Sequence, residues 1–401
     1  MKTLLAAFGG SAYKLYQATG ILLPIAGGAK GYNETGDLLF ETVDGVPFAQ
    51  LYQDIIDSLD ILNAQRSPLL NALTFPVSTP FEEVMPIISD EFEEADEFGQ
   101  PKGIRLGRPW NMGYDLKYYD LGLRYTFRFL GRAPAKEILA LNNSAIEADQ
   151  RLVMKRITDR LFDNTNWAAT LESSGRAVTV YPFYNGTTTV LPATPPAWKT
   201  FTHTNTHNHY LASGGATVTA LNIDAMWDHI YHHGYTQGNA TVYLLVNKQE
   251  AQVIKTFRVG AGVQYDFIPA RGSADAVFRG TLVGSLPSEP AAVPNMFPGF
   301  LGTYGPVNLV QEDYIPAGYM VMFVSQGSFN VGNPVGLREH ENEGLRGLKL
   351  IPTFERYPLR ESFYHHALGT GIRIPGGGVI MKVTAGAYDI PTLSFQGQGG
   401  R

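Results

Sequence analysis

The sequence has no cysteine, which excludes disulfides, thiolate nucleophiles and cysteine–zinc sites and suits a reducing compartment. Any cohesion between copies of the chain must then be non-covalent or use a bond other than sulfur. No run approaches about 18 consecutive apolar residues, so no membrane-spanning helix is expected. The opening MKTLLAAFGGSA begins like a secretion signal, but the apolar run Leu4–Phe8 ends at two glycines. That is short of the roughly 7–15 apolar residues a signal core needs. Charge is sparse, at 17% of residues with a net charge of −6. A dedicated nucleic-acid binder would carry a basic excess to displace counterions from phosphate, so that class is disfavoured. Catalytic signatures are missing too. There is no G-x-S-x-G elbow, no lysine directly after a glycine and therefore no P-loop, and no H-E-x-x-H. The Gly369–Gly378 cluster lacks the spacing of a dinucleotide site.

What is present is a globular composition. With 401 residues, 44% of them hydrophobic, the chain can hold two or three compact units. Its 43 glycines and 25 prolines exceed average usage and predict many turns and long loops around mostly β elements. Residues 1–47 read as an extended arm. Phe48–Leu73 has helical spacing broken at Pro68. Leu121, Leu123, Tyr125, Phe127 and Phe129 alternate with small or basic residues, which predicts a strand over Leu121–Phe129. Pro134 opens the longest helical segment, Pro134–Phe162, with Ile138, Leu141, Ala145, Leu152, Ile157 and Leu161 as its apolar stripe. Further on, Ala177–Tyr184 and Thr187–Val190 suggest strands around an Asn185–Gly186 turn. Helices are expected at Ile223–His233, stopped by Gly234, and at Lys248–Phe257. Strands are expected at Thr241–Val246, Pro306–Val310, Tyr319–Ser325 and Gly378–Thr384.

Charge is unevenly placed. Eight carboxylates and no basic residue lie between Glu82 and Glu97, and eight Lys or Arg with only Asp115 and Asp120 lie between Phe98 and Lys136. One reading is two solvated faces that offset each other. The other is a two-stranded arm whose charges meet complementary charges on adjacent subunits, with Glu91, Glu93, Glu94, Glu97, Lys102, Arg105, Arg108 and Lys117 as contact residues. The run Glu91–Glu97 lacks the Asp/Asn ladder and central glycine of a calcium loop.

Six of the nine histidines fall between His203 and His233. His207 and His209 could ligate together on an extended segment, and His229 and His233 lie one turn apart on the expected helix. These four are weak metal candidates, because no carboxylate is spaced among the first group, His203 to His209, as a ligand or base, and adjacent His232 and His233 would leave a helix in different directions. Packing or bonding to backbone carbonyls is the ordinary role of such residues, so neither a metal nor a cofactor is expected.

Three ordered stretches resemble the major capsid proteins of tailed bacteriophages, especially those of actinobacterial phages. They are Tyr119–Ile157, then Thr206–Ala251, then Tyr314–Gly327 followed by Asn333–Pro352 and Gly369–Val383. The resemblance implies an α+β tailed-phage capsid fold shared with encapsulins. It has an N-terminal arm (1–80), an extended β-hairpin loop (81–130), a peripheral domain with a long spine helix (131–235 and 346–401) and an inserted axial domain (236–345). It also implies a structural protein, not an enzyme, that self-assembles as hexamers and pentamers into an icosahedral shell enclosing double-stranded DNA without sequence-specific binding. The implied partners are a scaffolding protein, a portal and, in some members, a decoration protein, with no membrane involved. The implied location is the virion capsid, assembled in the host cytoplasm. Some members cross-link a loop lysine to a neighbour's asparagine; Lys102 and Lys117 lie in the loop region, and no partner can be chosen from the sequence. The competing readings are an encapsulin-like compartment shell and a histidine-dependent metalloprotein.

Overall fold

The computed structural model describes residues 41–393 except 65, 85–91, 93, 95–98, 100–102, 104–109, 171–174, 188–196, 205, 261, 271–298 and 353–358. The expected N-terminal arm, up to residue 40, and most of the expected 187–190 strand therefore lie outside the described residues. In chain order the elements are α1 (Phe48–Ala64), α2 (Pro68–Leu73), β1 (Thr74–Val77), β2 (Phe81–Val84), β3 (Trp110–Gly113), β4 (Lys117–Thr126), α3 (Phe127–Leu130) and α4 (Ala135–Phe162). Then come β5 (Trp167–Thr170), β6 (Ala177–Val180), β7 (Tyr210–Ala212), α5 (Ala220–Tyr231), β8 (Thr241–Val246), α6 (Lys248–Ile254) and β9 (Phe267–Pro269). The last are β10 (Phe300–Tyr304), β11 (Val307–Gln311), β12 (Tyr319–Ser325), β13 (Val335–Glu339), β14 (Lys349–Pro352), β15 (Leu359–Ile372) and β16 (Gly378–Lys382). The chain divides into two units: Met1–Ser58 with Gly122–Ser144 and Ile351–Phe363, and Leu59–Leu121 with Ala145–Leu350 and Tyr364–Arg401.

The larger unit holds a seven-stranded sheet ordered β7-β16-β12-β8-β11-β10-β9. Strand β8 is parallel to β11 and antiparallel to β12, which pairs antiparallel with β16. Central strands read as unbroken apolar runs because both faces are covered. Alternation then sorts their residues: Val242, Leu244, Val246, Met320, Met322 and Val324 pack with α5 and α6 residues such as Ile223, Met226, Ala251 and Ile254. Tyr243, Leu245, Val321 and Phe323 face a second core with Leu69, Leu73, Val153, Ile157 and Leu161. A further sheet runs β1-β13-β15-β14, with β4 also on β15. Its surface is shaped for close approach: a Cβ on Gly336 would lie 2.4 Å from the Tyr114 ring, and one on Gly369 would lie 1.4 Å from the Asp115 carbonyl oxygen. Gly369 and Gly371, from the cluster that lacks dinucleotide spacing, are thus members of a long strand.

In the smaller unit, Leu51, Leu130, Ala133, Ala135 and Ile138 form a compact core. The start of α4 is capped from far upstream, because both carboxylate oxygens of Asp44 accept from the Ala135 amide, at 3.0 and 3.2 Å. A hydrogen bond from the Thr42 hydroxyl, and then those from Ala135, hold the Asp44 carboxyl below its ordinary value. At 28 residues α4 is about 42 Å long.

Several sequence expectations shift. The 121–129 strand ends at Thr126, whose hydroxyl accepts from the Phe129 amide and turns the chain into α3. Ala177–Val180 pairs with Trp167–Thr170. Asn185 bridges Asn208. On α4, Leu141 is exposed, while the buried stripe takes in Asn142, Asp149, Arg156 and Arg160. The helical period holds, but polar residues with partners occupy the inner face.

Candidate functional site

Two regions carry the sequence candidates. The first is the base of the charge-rich segment. β2 and β3 pair antiparallel with Phe81 opposite Gly113 and Val84 opposite Trp110, so the segment 85–109 leaves from and returns to a two-stranded ladder. The Tyr114 amide donates to the Pro80 carbonyl at 2.9 Å. Arg373 Nε donates to Glu82 Oε2 at 2.9 Å, so the first acid of the block is a fixed ion-pair member. Of the contact candidates, Glu91, Glu93, Glu97, Lys102, Arg105 and Arg108 lie outside the described residues. Glu94 and Lys117 are exposed, Lys117 as the first residue of β4.

The second region is the histidine group. Strand-like residues 207–209 are held by backbone bonds, with the Gly186 amide donating to His207 O and the His209 amide to Tyr184 O. Residues two apart on an extended chain point the same way, so both rings face one side. On the other side α5 ends at Tyr231, His232 caps it, and Gly234 turns left-handed at φ +91°. Because the helix has stopped, helical phase no longer separates His232 from His233. The Nε2 atom of His207 lies 2.8 Å from that of His209 and 3.0 Å from that of His233, and the last two are 2.9 Å apart. His232 Nε2 is 3.4 Å from His207 Nε2. Aromatic rings flank the group: Tyr184 stacks on His233 at 5.4 Å and Phe201 on His232 at 4.2 Å. His229 stacks near His207 at 5.8 Å but turns its Nδ1 to the Ala225 carbonyl. Burial first, and then neighbouring imidazolium charge, push His207 down to about 3 and His232 to about 4. His209, fully buried, is lowered well below its ordinary value for the same reasons.

A buried charge network built on α4 left no direct signal in the sequence. Asp149 accepts from Arg66 Nη1 at 3.3 Å and bonds His366 Nδ1 through its other oxygen. Burial would raise the Asp149 carboxyl, but the His366 hydrogen bond and charge, together with Arg66, outweigh it and lower the pKa. About two turns along the helix, Arg156 pairs with Asp115, whose other oxygen accepts from the Thr370 amide at 2.9 Å. Arg160 lies 4.2 Å above the Trp167 ring and donates to the Asp163 and Thr165 carbonyls. The only hint available beforehand was charge recurring at the apolar period of α4.

The chain is similar to a solved structure from Mycobacterium phage Patience: 35% identity, covering 92% of this chain and 97% of that one, with a TM-score of 0.65. Weaker likenesses are to the mature capsid of bacteriophage PhiM1 (11% identity, 79% and 86% covered, TM-score 0.46) and the holo-SrpI encapsulin complex from Synechococcus elongatus (11% identity, 84% and 98% covered, TM-score 0.40). No family model matches the sequence, and no curated protein matches it.

Proposed function

The chain belongs to the major capsid proteins of tailed phages, and from that premise we propose how it builds its shell. It is a structural shell subunit of the virion capsid, which assembles into oligomeric shells. The observation that carries this is the similarity to the Patience structure over nearly the full length of both chains. The finer reading is that copies associate as hexamers and pentamers and close an icosahedral shell around double-stranded DNA. Assembly takes place in the host cytoplasm with a scaffolding protein, a portal and, where needed, a decoration protein. The shell contains nucleic acid without sequence-specific contacts, which fits a net charge of −6. The role is structural and calls for no catalytic group.

On this reading residues 1–80 are the arm, 81–130 the extended loop, 131–235 and 346–401 the peripheral domain around α4, and 236–345 the axial domain. The β2–β3 ladder supports the loop assignment, because it is the paired base such a hairpin requires. Glu91, Glu93, Glu94, Glu97, Lys102, Arg105, Arg108 and Lys117 then meet neighbouring subunits, where charge sets register more than affinity.

Electron microscopy with light scattering on the purified chain, alone and with its scaffold, tests the assembly. Closed shells or capsomer rings are expected; a persistent monomer or dimer under both conditions would overturn the reading. The double substitution Arg105→Glu and Arg108→Glu should abolish shells while leaving the circular dichroism of the subunit unchanged. Normal shells from that variant would remove the loop from the interface.

A further inference from the structure

The histidine group carries an inference that does not rest on the capsid reading. We propose that the Nε2 atoms of His207, His209 and His233, closed by His232, bind one transition-metal ion per chain, with Zn2+ the preferred ion.

The argument begins with protons. His209 Nδ1 lies 2.6 Å from the Gly378 carbonyl oxygen, which can only accept, so Nδ1 carries the hydrogen. The neutral ring then presents a bare lone pair at Nε2. This is the arrangement by which a second hydrogen bond orients a metal-ligating imidazole. His207 and His233 aim Nε2 at that same lone pair and at each other, all within 2.8 to 3.0 Å. Each neutral ring supplies at most one hydrogen at Nε2, and His209 supplies none there. If both other rings donate to His209, their own N–H groups collide; if only one does, the lone pair of the other is left facing that of His209. A cation at the centre satisfies all three at once.

Distances agree with this. Zn–N bonds of about 2.0–2.1 Å in a tetrahedron put neighbouring nitrogens about 3.3–3.4 Å apart, so the three rings need to part by only about 0.4 Å. The fourth ring is at hand, because His232 Nε2 stands 3.4 Å from His207 Nε2. His203, His207, His232 and His233 also have ligand atoms within 4.8 Å of one another. The donors are all imidazole, which selects Zn2+, Ni2+, Co2+ or Cu2+ over the oxygen-seeking Mg2+ and Ca2+.

The bound ion would act as a staple. His209 is tied to β16 twice, through Nδ1 to Gly378 and through its carbonyl, which accepts from the Ile380 amide at 2.8 Å. His232 and His233 end α5. One ion therefore joins the edge of the seven-stranded sheet to the end of a helix in the same unit, in a chain that has no disulfide to do so.

The test uses the untagged full chain, dialysed against excess Zn2+ and then freed of unbound ion by gel filtration. Elemental analysis should find about one zinc per chain, and Co2+ in its place should give the strong visible absorption of a tetrahedral site. The wild-type measurement decides the matter even if variants misfold: zinc below about a tenth of an equivalent would overturn the proposal. His207→Gln with His232→Gln, checked for native circular dichroism, should lose the ion and the cobalt spectrum. Full retention of zinc by that folded variant would place the metal elsewhere and overturn the assignment.

Discussion

His366 and His209 are both fully enclosed imidazoles in the same unit, and they differ in what faces the ring. His366 meets Asp149, which is itself held by Arg66, so the ring faces an anion that a guanidinium also holds. His209 meets two other imidazoles and a backbone carbonyl. A carboxylate partner turns a buried histidine into a fixed, hydrogen-bonded joint. Imidazole partners leave surplus lone pairs that only a cation can use. Side-chain identity alone does not distinguish these roles; the facing group does.

The largest effect should come from breaking the first joint. Asp149→Ala strands Arg66 and His366 without an anion and should cost about 3–5 kcal/mol in denaturant unfolding of the dissociated subunit. Replacing all three residues with apolar side chains of similar volume should recover most of that loss, because the desolvation cost disappears with the charges. Next is acid. Asp149 is lowered in the folded chain, so its contribution is fully present above the ordinary carboxylate value of 3.8 and is lost as pH falls below it. Unfolding measured against pH should show that acid limb in the wild type and a shallower one in Asp149→Asn, whereas His207→Gln should leave it unchanged. A smaller effect is expected at the other site. In chelated protein His207→Ala, half-buried and hydrogen-bonded only to rings, should cost about 1 kcal/mol by the same measurement. A value matching Asp149→Ala would erase the distinction between the two sites. Smallest of all is Arg151→Ala, which removes a 3.8 Å pair with exposed Glu147 and should change stability by less than about 0.5 kcal/mol.

The elements read correctly from sequence are those whose pattern has a single cause. Thr241–Val246 and Tyr319–Ser325 are unbroken apolar runs covered on both faces, and their limits match. The long helix starts one residue late, at Ala135, because Pro134 precedes it. Strand β15 was not legible, since RESFYHHALGTG mixes charge, histidine and glycine. Each of those residues answers to a different neighbour, such as Asp149 for His366 and the Asp115 backbone for Gly369. Phe127 and Phe129 kept the period of a strand, while one hydroxyl, that of Thr126, turned them into a helical turn. The histidines could be counted in advance, but their convergence depends on α5 ending at Tyr231, two residues before His233. Asp149 and His366 are 217 positions apart, and nothing local in either segment announces the other.

Strand order also sets a timetable for synthesis. β16, the last of the seven strands in chain order, lies between β7 and β12 in the interior of the seven-stranded sheet. Until those residues have left the exit tunnel, β12 and β7 each keep an unpaired edge. The central sheet therefore closes only once β16 has emerged, and a nascent chain that has not reached it offers no finished surface to its neighbours. Growing particles would draw on chains whose sheet is already closed.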